Sequence, residues 1–291
     1  MNFRTDLAIE RQEILSENGC GGVSVHKWKD GKVYLSRIDV ETDKASEELK
    51  KPKGRYITAH LPPFSSDSEL FDGRIETLSK EIENLLPKDG AVLVVGLGNE
   101  NITPDALGPC TISHILATRH IPDELSTDLG LGKLRPVAAI SPGVLGQTGI
   151  ETGEIVQGIA DRIKPSAVIT VDALASRRLS RLGTTVQICN TGISPGSGVG
   201  NKRQRLDEKT LGVKVISIGV PTVVDGATLA YDLADKEKTK SISFLPESEN
   251  MMVTPKEIDL LIEHASKLVG MAINCALQKT LTPKEILSLV S

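Results

Sequence analysis

The order of apolar and polar residues divides most of the chain into short strands that alternate with helices. Apolar runs bounded by turn residues predict buried strands, and apolar residues at helical spacing between caps and prolines predict helices. The predicted strands are residues 55–60, 91–95, 135–140, 167–171, 184–189 and 213–218. The predicted helices are residues 70–85, 103–119, 152–163, a segment from residue 173 onward, and residues 225–233, 255–277 and 283–290.

The N-terminal part has a different pattern. Residues 21–40 alternate loosely around Asp30-Gly31, which predicts a hairpin. Residues 41–54 are rich in charge and predict a solvated loop. The first residues are charged, so no signal peptide is predicted there. No apolar run is long enough to predict a membrane span.

Alternating strands and helices predict an α/β protein with a doubly wound, largely parallel sheet flanked by helices. The N-terminal β-rich part, at about residues 19–60, extends it, and 291 residues suit a single large domain. Ligands of such sheets bind beyond the carboxyl ends of strands. Three segments are therefore expected to form the site: residues 96–109, 172–176 and 190–203.

The composition of the chain disfavours several classes of function. The net charge is −4 and aromatic residues make up 3% of the chain, which disfavours direct nucleic-acid binding. The four cysteines form no C-x-x-C pair, which indicates free thiols in a reducing compartment rather than a disulfide framework or zinc knuckle.

The sequence lacks complete versions of the common catalytic and nucleotide-binding motifs. Gly96-Leu97-Gly98 lacks the third glycine of a dinucleotide fingerprint, and the stretch GSGVGNKR has Arg203 where a phosphate-binding loop needs Ser or Thr. No G-x-S-x-G elbow and no H-E-x-x-H zinc motif occur. Cys110 and His114 are one helical turn apart, which is weak support for cysteine catalysis.

Two aspartates remain as candidate catalytic residues. Asp105 follows Thr103-Pro104 and could simply favour a helix start, and Asp172 follows a buried strand and could cap the next helix. Together, both are expected in one crevice, where two carboxyl groups can divide their pKa values into an acid and a base. Glu151 and Glu154 are further acids near the same edge, with an ordinary charged helix start as the alternative.

Five motifs carry a family resemblance: GLGNENITPDALGP (96–109), SPGVLGQTGIET (141–152), VITVDALASR (168–177), NTGISPGSGVGNKR (190–203) and IGVPTVVD (218–225). In this order they resemble the germination protease of spore-forming bacteria, over nearly the whole chain from Arg4. The resemblance implies an endopeptidase that degrades small acid-soluble spore proteins in the cytoplasm of the germinating spore. It also implies a homotetramer and no contact with membranes.

The resemblance extends to site chemistry. The family is distantly similar to hydrogenase-maturation endopeptidases of phosphorylase/hydrolase-like fold, which hold a metal with two acids and a histidine. Asp105 and Asp172 match the acids, and the histidine is missing here. The resemblance thus implies an aspartic-type pair without metal or cofactor, and a metal-dependent endopeptidase is the alternative. The candidate oxyanion and substrate contacts are Gly98, Asn99, Asn101, Gly196, Ser197 and Gly198.

The resemblance also implies a self-processing zymogen. RTDLAIE resembles the acid–apolar–small sites of the substrate proteins, so Leu7–Ala8 is the predicted scissile bond. Residues 1–7 would form the propeptide and residues 8–291 the peptidase domain. A frayed terminus is the plainer alternative. A non-enzymatic binding module on the same scaffold is the third functional hypothesis.

Overall fold

The computed structural model describes residues 4–16, 21–66, 71–196, 203–233 and 251–290. Its strands are β1 (Val23–Asp30), β2 (Val33–Val40), β3 (Gly54–His60), β4 (Val92–Gly96), β5 (Val137–Ile140), β6 (Ala167–Ser176), β7 (Thr185–Cys189), β8 (Lys214–Asp225) and β9 (Met252–Val253). Its α-helices are α1 (Ala8–Ser16), α2 (Asp43–Leu49), α3 (Arg74–Glu83), α4 (Leu107–Ile112), α5 (Asp123–Asp128), α6 (Leu145–Thr148), α7 (Thr152–Ile163), α8 (Glu208–Leu211), α9 (Gly226–Leu233), α10 (Ile258–Leu277) and α11 (Pro283–Val290).

The described strands join into one nine-stranded sheet in the order β1-β2-β3-β7-β8-β6-β4-β5, with β9 paired to β8. Strands β8, β6, β4 and β5 are mutually parallel. The hairpin β1–β2, predicted from Asp30-Gly31, continues antiparallel through β3 and β7 to β8. The α/β class is confirmed, and the parallel pairing is confined to half of the sheet.

Helices cover both faces of the sheet. Helices α3, α4, α10 and α11 bury one face in the largest apolar cluster. On the opposite face, α1 and α2 cover the antiparallel strands, while α7 and α8 cover the parallel strands in a separate cluster. Helix α10 is apolar enough by length and composition to cross a bilayer, but 72% of its apolar window is buried, as expected of a core helix.

The prediction of a solvated loop at residues 41–54 is wrong, because this segment contains α2. The N–H of Ala45 donates to the Thr42 hydroxyl at 3.2 Å, which caps the helix. Ala45 and Leu49, four residues apart, are buried in the cluster beneath α1. The apolar spacing was present in the sequence and was obscured by the surrounding charges.

Two predicted helices also differ from the structure. The helix expected at residues 103–119 is a 3₁₀ turn, Thr103–Asp105, followed by the short α4, which ends at Ile112. The Asn274 side chain of α10 then binds the backbone of His114 and Leu116. The helix expected from residue 173 does not form, because β6 stays paired with β8 as far as Ser176. Asp172 therefore lies inside a strand and caps no helix.

Candidate functional site

Asp172 belongs to a polar row that crosses three neighbouring strands. In the register of the sheet, Asp172 of β6 is opposite Gly219 of β8, and Gly219 is opposite Gln187 of β7. Residues opposite each other point to the same face, so Asp172 and Gln187 project from one side, and the Leu174 side chain covers Gly219 between them.

This row lies in the gap between the two apolar clusters of that face. Two residues further along β6, Leu174 belongs to the cluster under α1 and α2, whereas Val168 belongs to the cluster under α7 and α8. Thr170 and Ser217 hydrogen-bond to each other at 2.8 Å between these positions. The gap is continuous with a groove of about 680 Å³, which is lined by Asp105, Asp172 and Gln187, among others.

The loop after β4 brings Asp105 to this groove. Gly98 has φ +113°, and a Cβ at this position would lie 2.0 Å from the Asp105 carbonyl oxygen. The loop therefore closes on itself only with glycine at this position. The N–H of Asn99 then donates to Oδ2 of Asp105 at 2.8 Å. A Cβ on Gly108 would lie 2.6 Å from the Val171 carbonyl, so α4 packs directly against the strand that carries Asp172.

The two aspartates influence each other electrostatically. Burial raises the pKa of Asp105, and the hydrogen bond from Asn99 partly opposes this. The pKa of Asp172 is raised well above its ordinary value by burial, and further by the charges of Asp105 and Asp6. The carboxyl group of Asp172 thus holds a proton at pH values where an ordinary aspartate is ionised.

The predicted oxyanion and substrate contacts fall into three groups. Gly98, Asn99 and Gly196 line the groove. Asn101 is exposed, and its N–H donates to Oδ1 of Asn99 at 3.0 Å. Ser197 and Gly198 lie outside the described residues. Because the N–H of Asn99 already binds Asp105, it is not available for an oxyanion in this conformation.

The N-terminal segment borders the groove through Asp6. The N–H of Asp6 donates to the Ala175 carbonyl, and the N–H of Ala175 donates to Oδ2 of Asp6, both at 2.9 Å. The predicted scissile residues, Leu7 and Ala8, are both fully buried, and Ala8 is the first residue of α1. The terminus from Arg4 onward is therefore packed against the end of β6.

Glu10 anchors the same segment. Its carboxylate accepts hydrogen bonds from the backbone N–H groups of Arg177 and Arg178 at 2.7 and 3.0 Å. Arg181 lies 3.4 Å from the same carboxylate, and the Thr5 hydroxyl also donates to it. Glu10 is 1% exposed, so these contacts replace its water shell.

Other candidates take no part in the groove. Glu151 pairs with Arg203 at 3.3 Å, at the start of α7, and Glu154 lies exposed in the first turn of that helix. Burial and the charge of Glu100 raise the pKa of the Cys110 thiol, which disfavours a thiolate nucleophile. Within the described ranges, no group of three or more His, Cys, Asp or Glu side chains could hold a metal ion.

Sequence reasoning missed Asp6, Gln187 and Lys51 as groove residues. Burial lowers the pKa of Lys51, which donates to the Asp6 carbonyl at 2.7 Å. A glutamine in the run TVQIC is a signal in retrospect, because an amide in a buried strand needs polar partners. The partner itself lies 181 residues away in the chain and could not be read from the sequence.

Comparison with known proteins agrees with the sequence motifs. A family model described as germination protease matches residues 4–236. Germination proteases from Caldanaerobacter subterraneus subsp. tengcongensis and Clostridium tetani are 44% and 43% identical, each over 98% of this chain and 97% and 98% of the relative. The germination protease of Bacillus licheniformis is 35% identical over 96% of this chain and 94% of its own length.

A solved structure is also similar, at a lower level. A [NiFe] hydrogenase maturation protease from Thermococcus kodakarensis shares 16% identity with a TM-score of 0.35, covering 66% of this chain and 98% of that one. This similarity is too weak to assign residues of the groove.

Proposed function

Since the chain belongs to the germination protease family and is a peptidase, we propose that it is an endopeptidase that cleaves small acid-soluble spore proteins during germination, with Asp105 and Asp172 as its catalytic pair. One observation supports this most directly: the carboxyl groups of Asp105, in the loop after β4, and of Asp172, in β6, line one groove, and burial together with the charge of Asp105 raises the pKa of Asp172.

The electrostatic environment of each aspartate indicates which one is the base and which is the acid. Asp105 is the base, because it is only half-buried and the N–H of Asn99 stabilises its ionised form. Asp172 is the acid, because its pKa is raised further by burial and by neighbouring charge. The two titrate as a coupled pair that shares one proton in the active range.

The reaction follows from this assignment. Asp105 takes a proton from a water molecule as the water oxygen attacks the peptide carbonyl carbon, and Asp172 donates its proton to the carbonyl oxygen. The tetrahedral intermediate then collapses. The proton held by Asp105 passes to the leaving amine nitrogen, the C–N bond breaks, and the hydroxyl proton returns to Asp172. Each residue thus regains its starting state.

The N-terminal segment supports a zymogen. Asp6 occupies the groove beside Asp172, so a substrate has no access to this part of it. We place the processing site at Leu7–Ala8, within the acid–apolar–small sequence of this segment. Because both residues are buried and Ala8 begins α1, the first turn of α1 has to open before the bond can be cleaved. Processing would remove Asp6 from the groove.

The remaining parts of the proposal concern the setting of the enzyme. We place it in the cytoplasm of the spore, as a homotetramer that uses no cofactor and binds neither membranes nor nucleic acid directly. Its substrates are DNA-coating spore proteins, which it would digest through their acid–apolar–small sites.

The proposal is tested by incubating the purified chain with a small acid-soluble spore protein and identifying the products by mass spectrometry. We expect endoproteolysis by the wild type and a loss of at least about 1,000-fold in Asp105→Asn and Asp172→Asn. Asp128→Asn, an exposed change on α5, is the control and should keep full activity. Full activity of both folded groove variants would rule out this catalytic pair.

A further inference from the structure

Gln147 and Asn99 are joined by a hydrogen bond between two loops beside the groove. Gln147 Nε2 donates to Asn99 Oδ1 at 2.9 Å, although the two residues are 48 positions apart in the chain. Asn99 lies in the loop after β4 and lines the groove, as do Gly98 and Asp105 of the same loop. Gln147 belongs to the short α6 and is not one of the lining residues. Any effect of Gln147 on a bound substrate therefore passes through Asn99.

Backbone donors determine which way both side-chain amides face. The N–H of Asn101 donates to Asn99 Oδ1 at 3.0 Å, and the N–H of Val144 donates to Gln147 Oε1 at 3.3 Å. Because a backbone N–H can only donate, each amide has to turn its oxygen towards that N–H. Gln147 Nε2 then faces Asn99 Oδ1, which accepts two hydrogen bonds. The Nδ2 atom of Asn99 is left on the opposite side of its amide.

The Nδ2 group of Asn99 is an unused hydrogen-bond donor. In the part of the chain that the structure describes, it donates to no protein atom, whereas the Oδ1 atom and the backbone N–H of Asn99 are both occupied. The backbone N–H donates to Oδ2 of Asp105 at 2.8 Å, so the side chain of Asn99 begins beside the proposed base. A half-buried amide nitrogen next to Asp105 is thus available to a molecule in the groove.

Local turn chemistry accounts for only part of this arrangement. The bond from Asn101 closes a turn in the loop after β4, and the bond from Val144 caps α6. Each of these turns needs one side-chain oxygen. The link between Gln147 and Asn99 serves neither turn, and water could satisfy the exposed Gln147 amide equally well. The link instead fixes the orientation of the Asn99 amide, because it brings a second donor to Oδ1.

We propose that Asn99 Nδ2 binds the carbonyl oxygen of the cleaved peptide bond, and that Gln147 is the positioning residue that orients it. This inference rests on the proposed function, in which Asp172 donates its proton to the same oxygen. A carbonyl oxygen has two lone pairs, so it can receive a proton from Asp172 and a hydrogen bond from Asn99. Negative charge grows on this oxygen as water attacks the carbonyl carbon, and a donor that is already oriented stabilises that charge.

A double-mutant cycle tests both parts of the inference. Its members are Asn99→Ala, Gln147→Met and the variant that carries both changes. Asn99→Asp keeps the oxygen that closes the turn and lacks Nδ2, so it separates loss of the donor from loss of the turn. Gln157→Met is the control, because Gln157 lies on α7, outside the groove lining, and binds Asp161. The readouts are kcat and KM of the self-processed enzyme on a small acid-soluble spore protein, and thermal melting checks that each variant is folded.

We expect kcat to fall about 100-fold in Asn99→Ala and Asn99→Asp, the usual loss for one oxyanion donor, with KM changed less than about threefold. Gln147→Met should lower kcat about 10-fold, because Nδ2 is still present but is held less firmly. The double variant should be as active as Asn99→Ala, because Gln147 then has no amide to act through. If Gln147 only stabilised its loop, its effect would add to that of Asn99→Ala.

Three results would overturn the inference: a wild-type kcat in folded Asn99→Asp, a loss in Asn99→Ala that lies in KM alone, or losses that multiply in the double variant. Each leaves the proposed function intact if the wild type cleaves the spore protein and the variants Asp105→Asn and Asp172→Asn do not. A wild type that fails to cleave the spore protein would instead refute the proposed function itself.

Discussion

Asp172 of β6 and Asp105 of the loop after β4 line one groove, where burial and the charge of Asp105 together keep the Asp172 carboxyl group protonated beyond its usual range. Burial also raises the pKa of Asp105, but the N–H of Asn99 stabilises its anion and partly opposes this effect. This asymmetry between two chemically identical side chains is the physical basis of the predictions on pH.

The pH dependence of activity should be bell-shaped. Activity should rise as Asp105 ionises, at a pH above the ordinary aspartate range because burial raises its pKa. It should fall at higher pH as Asp172 loses its proton, since the pKa of Asp172 is raised by burial and by the charge of Asp105. The pH profile of kcat/KM on a peptide with the sequence of residues 2–13 measures both limbs. A profile without the alkaline limb would contradict the role of Asp172 as acid.

Asp172→Asn should stabilise the fold at neutral pH. Between its unfolded and its higher folded pKa, a carboxyl group takes up a proton on folding, so wild-type stability falls as the pH rises between the two values. Asn does not titrate and avoids this loss. We expect the stability advantage of the variant to shrink as the pH falls towards 3.8, the ordinary value.

Urea unfolding of Asp172→Asn and wild type across this pH range gives the comparison. Asp128→Asn serves as the control, because Asp128 is exposed and its replacement should not change the pH dependence. A variant that is less stable than wild type at neutral pH would show that the Asp172 carboxylate is stabilising instead.

Gly98→Ala should disrupt the site as well as the fold. The residue has φ +113°, and the new Cβ would meet the Asp105 carbonyl oxygen at 2.0 Å. We expect a loss of about 2–4 kcal/mol in the free energy of unfolding. Displacement of Asp105 should lower kcat by about 100-fold.

Gly158→Ala on α7 is the matched control, because no atom lies within 4 Å of the added Cβ. It should gain up to about 1 kcal/mol from helix propensity and keep its activity. If Gly98→Ala were as active as this control, the closed loop would not be what positions Asp105.

Glu10→Gln should loosen the N-terminal segment. The neutral amide cannot accept from both N–H groups of Arg177 and Arg178 with the strength of a carboxylate, and it leaves the buried Arg181 with one carboxylate partner, Glu13, instead of two. We expect a local destabilisation of about 1–3 kcal/mol. Hydrogen exchange at residues 4–10 should become faster, and self-cleavage should accelerate with it.

Glu124→Gln, an exposed change on α5, should alter neither quantity. Unchanged exchange in Glu10→Gln would mean that Leu7 and the β6 pairing hold the segment without the Glu10 anchor.

Chelators should leave proteolysis unaffected. The mechanism proposed for Asp105 and Asp172 uses their two carboxyl groups and a water molecule, and the residues that the structure describes offer no three-ligand cluster around them. Cleavage of a spore protein before and after dialysis against EDTA checks this. Loss of activity that zinc restores would favour the metal-dependent alternative.

Several helices and strands could be predicted because the residues that specify them are close together in the sequence. Helix α7 was predicted at its observed limits, since Pro165 and the apolar spacing define it. The hairpin at Asp30-Gly31 and the buried strand β4 followed from turn chemistry and apolar runs in the same way. The prediction of a helix from residue 173 was wrong, because this segment pairs with β8. Strand β8 is distant in the chain, so no local pattern indicates the pairing.

By itself, the sequence determined the family and the α/β class and indicated the two aspartates as candidates, because motif order, hydrophobic period and residue type are all carried along the chain. Tertiary structure decided that Asp172 lies within a strand, that Gln187 is in the same row, and that Asp6 lines the groove. Strand register and burial arise from contacts between residues far apart in the chain, and the pKa of Asp172 depends on both.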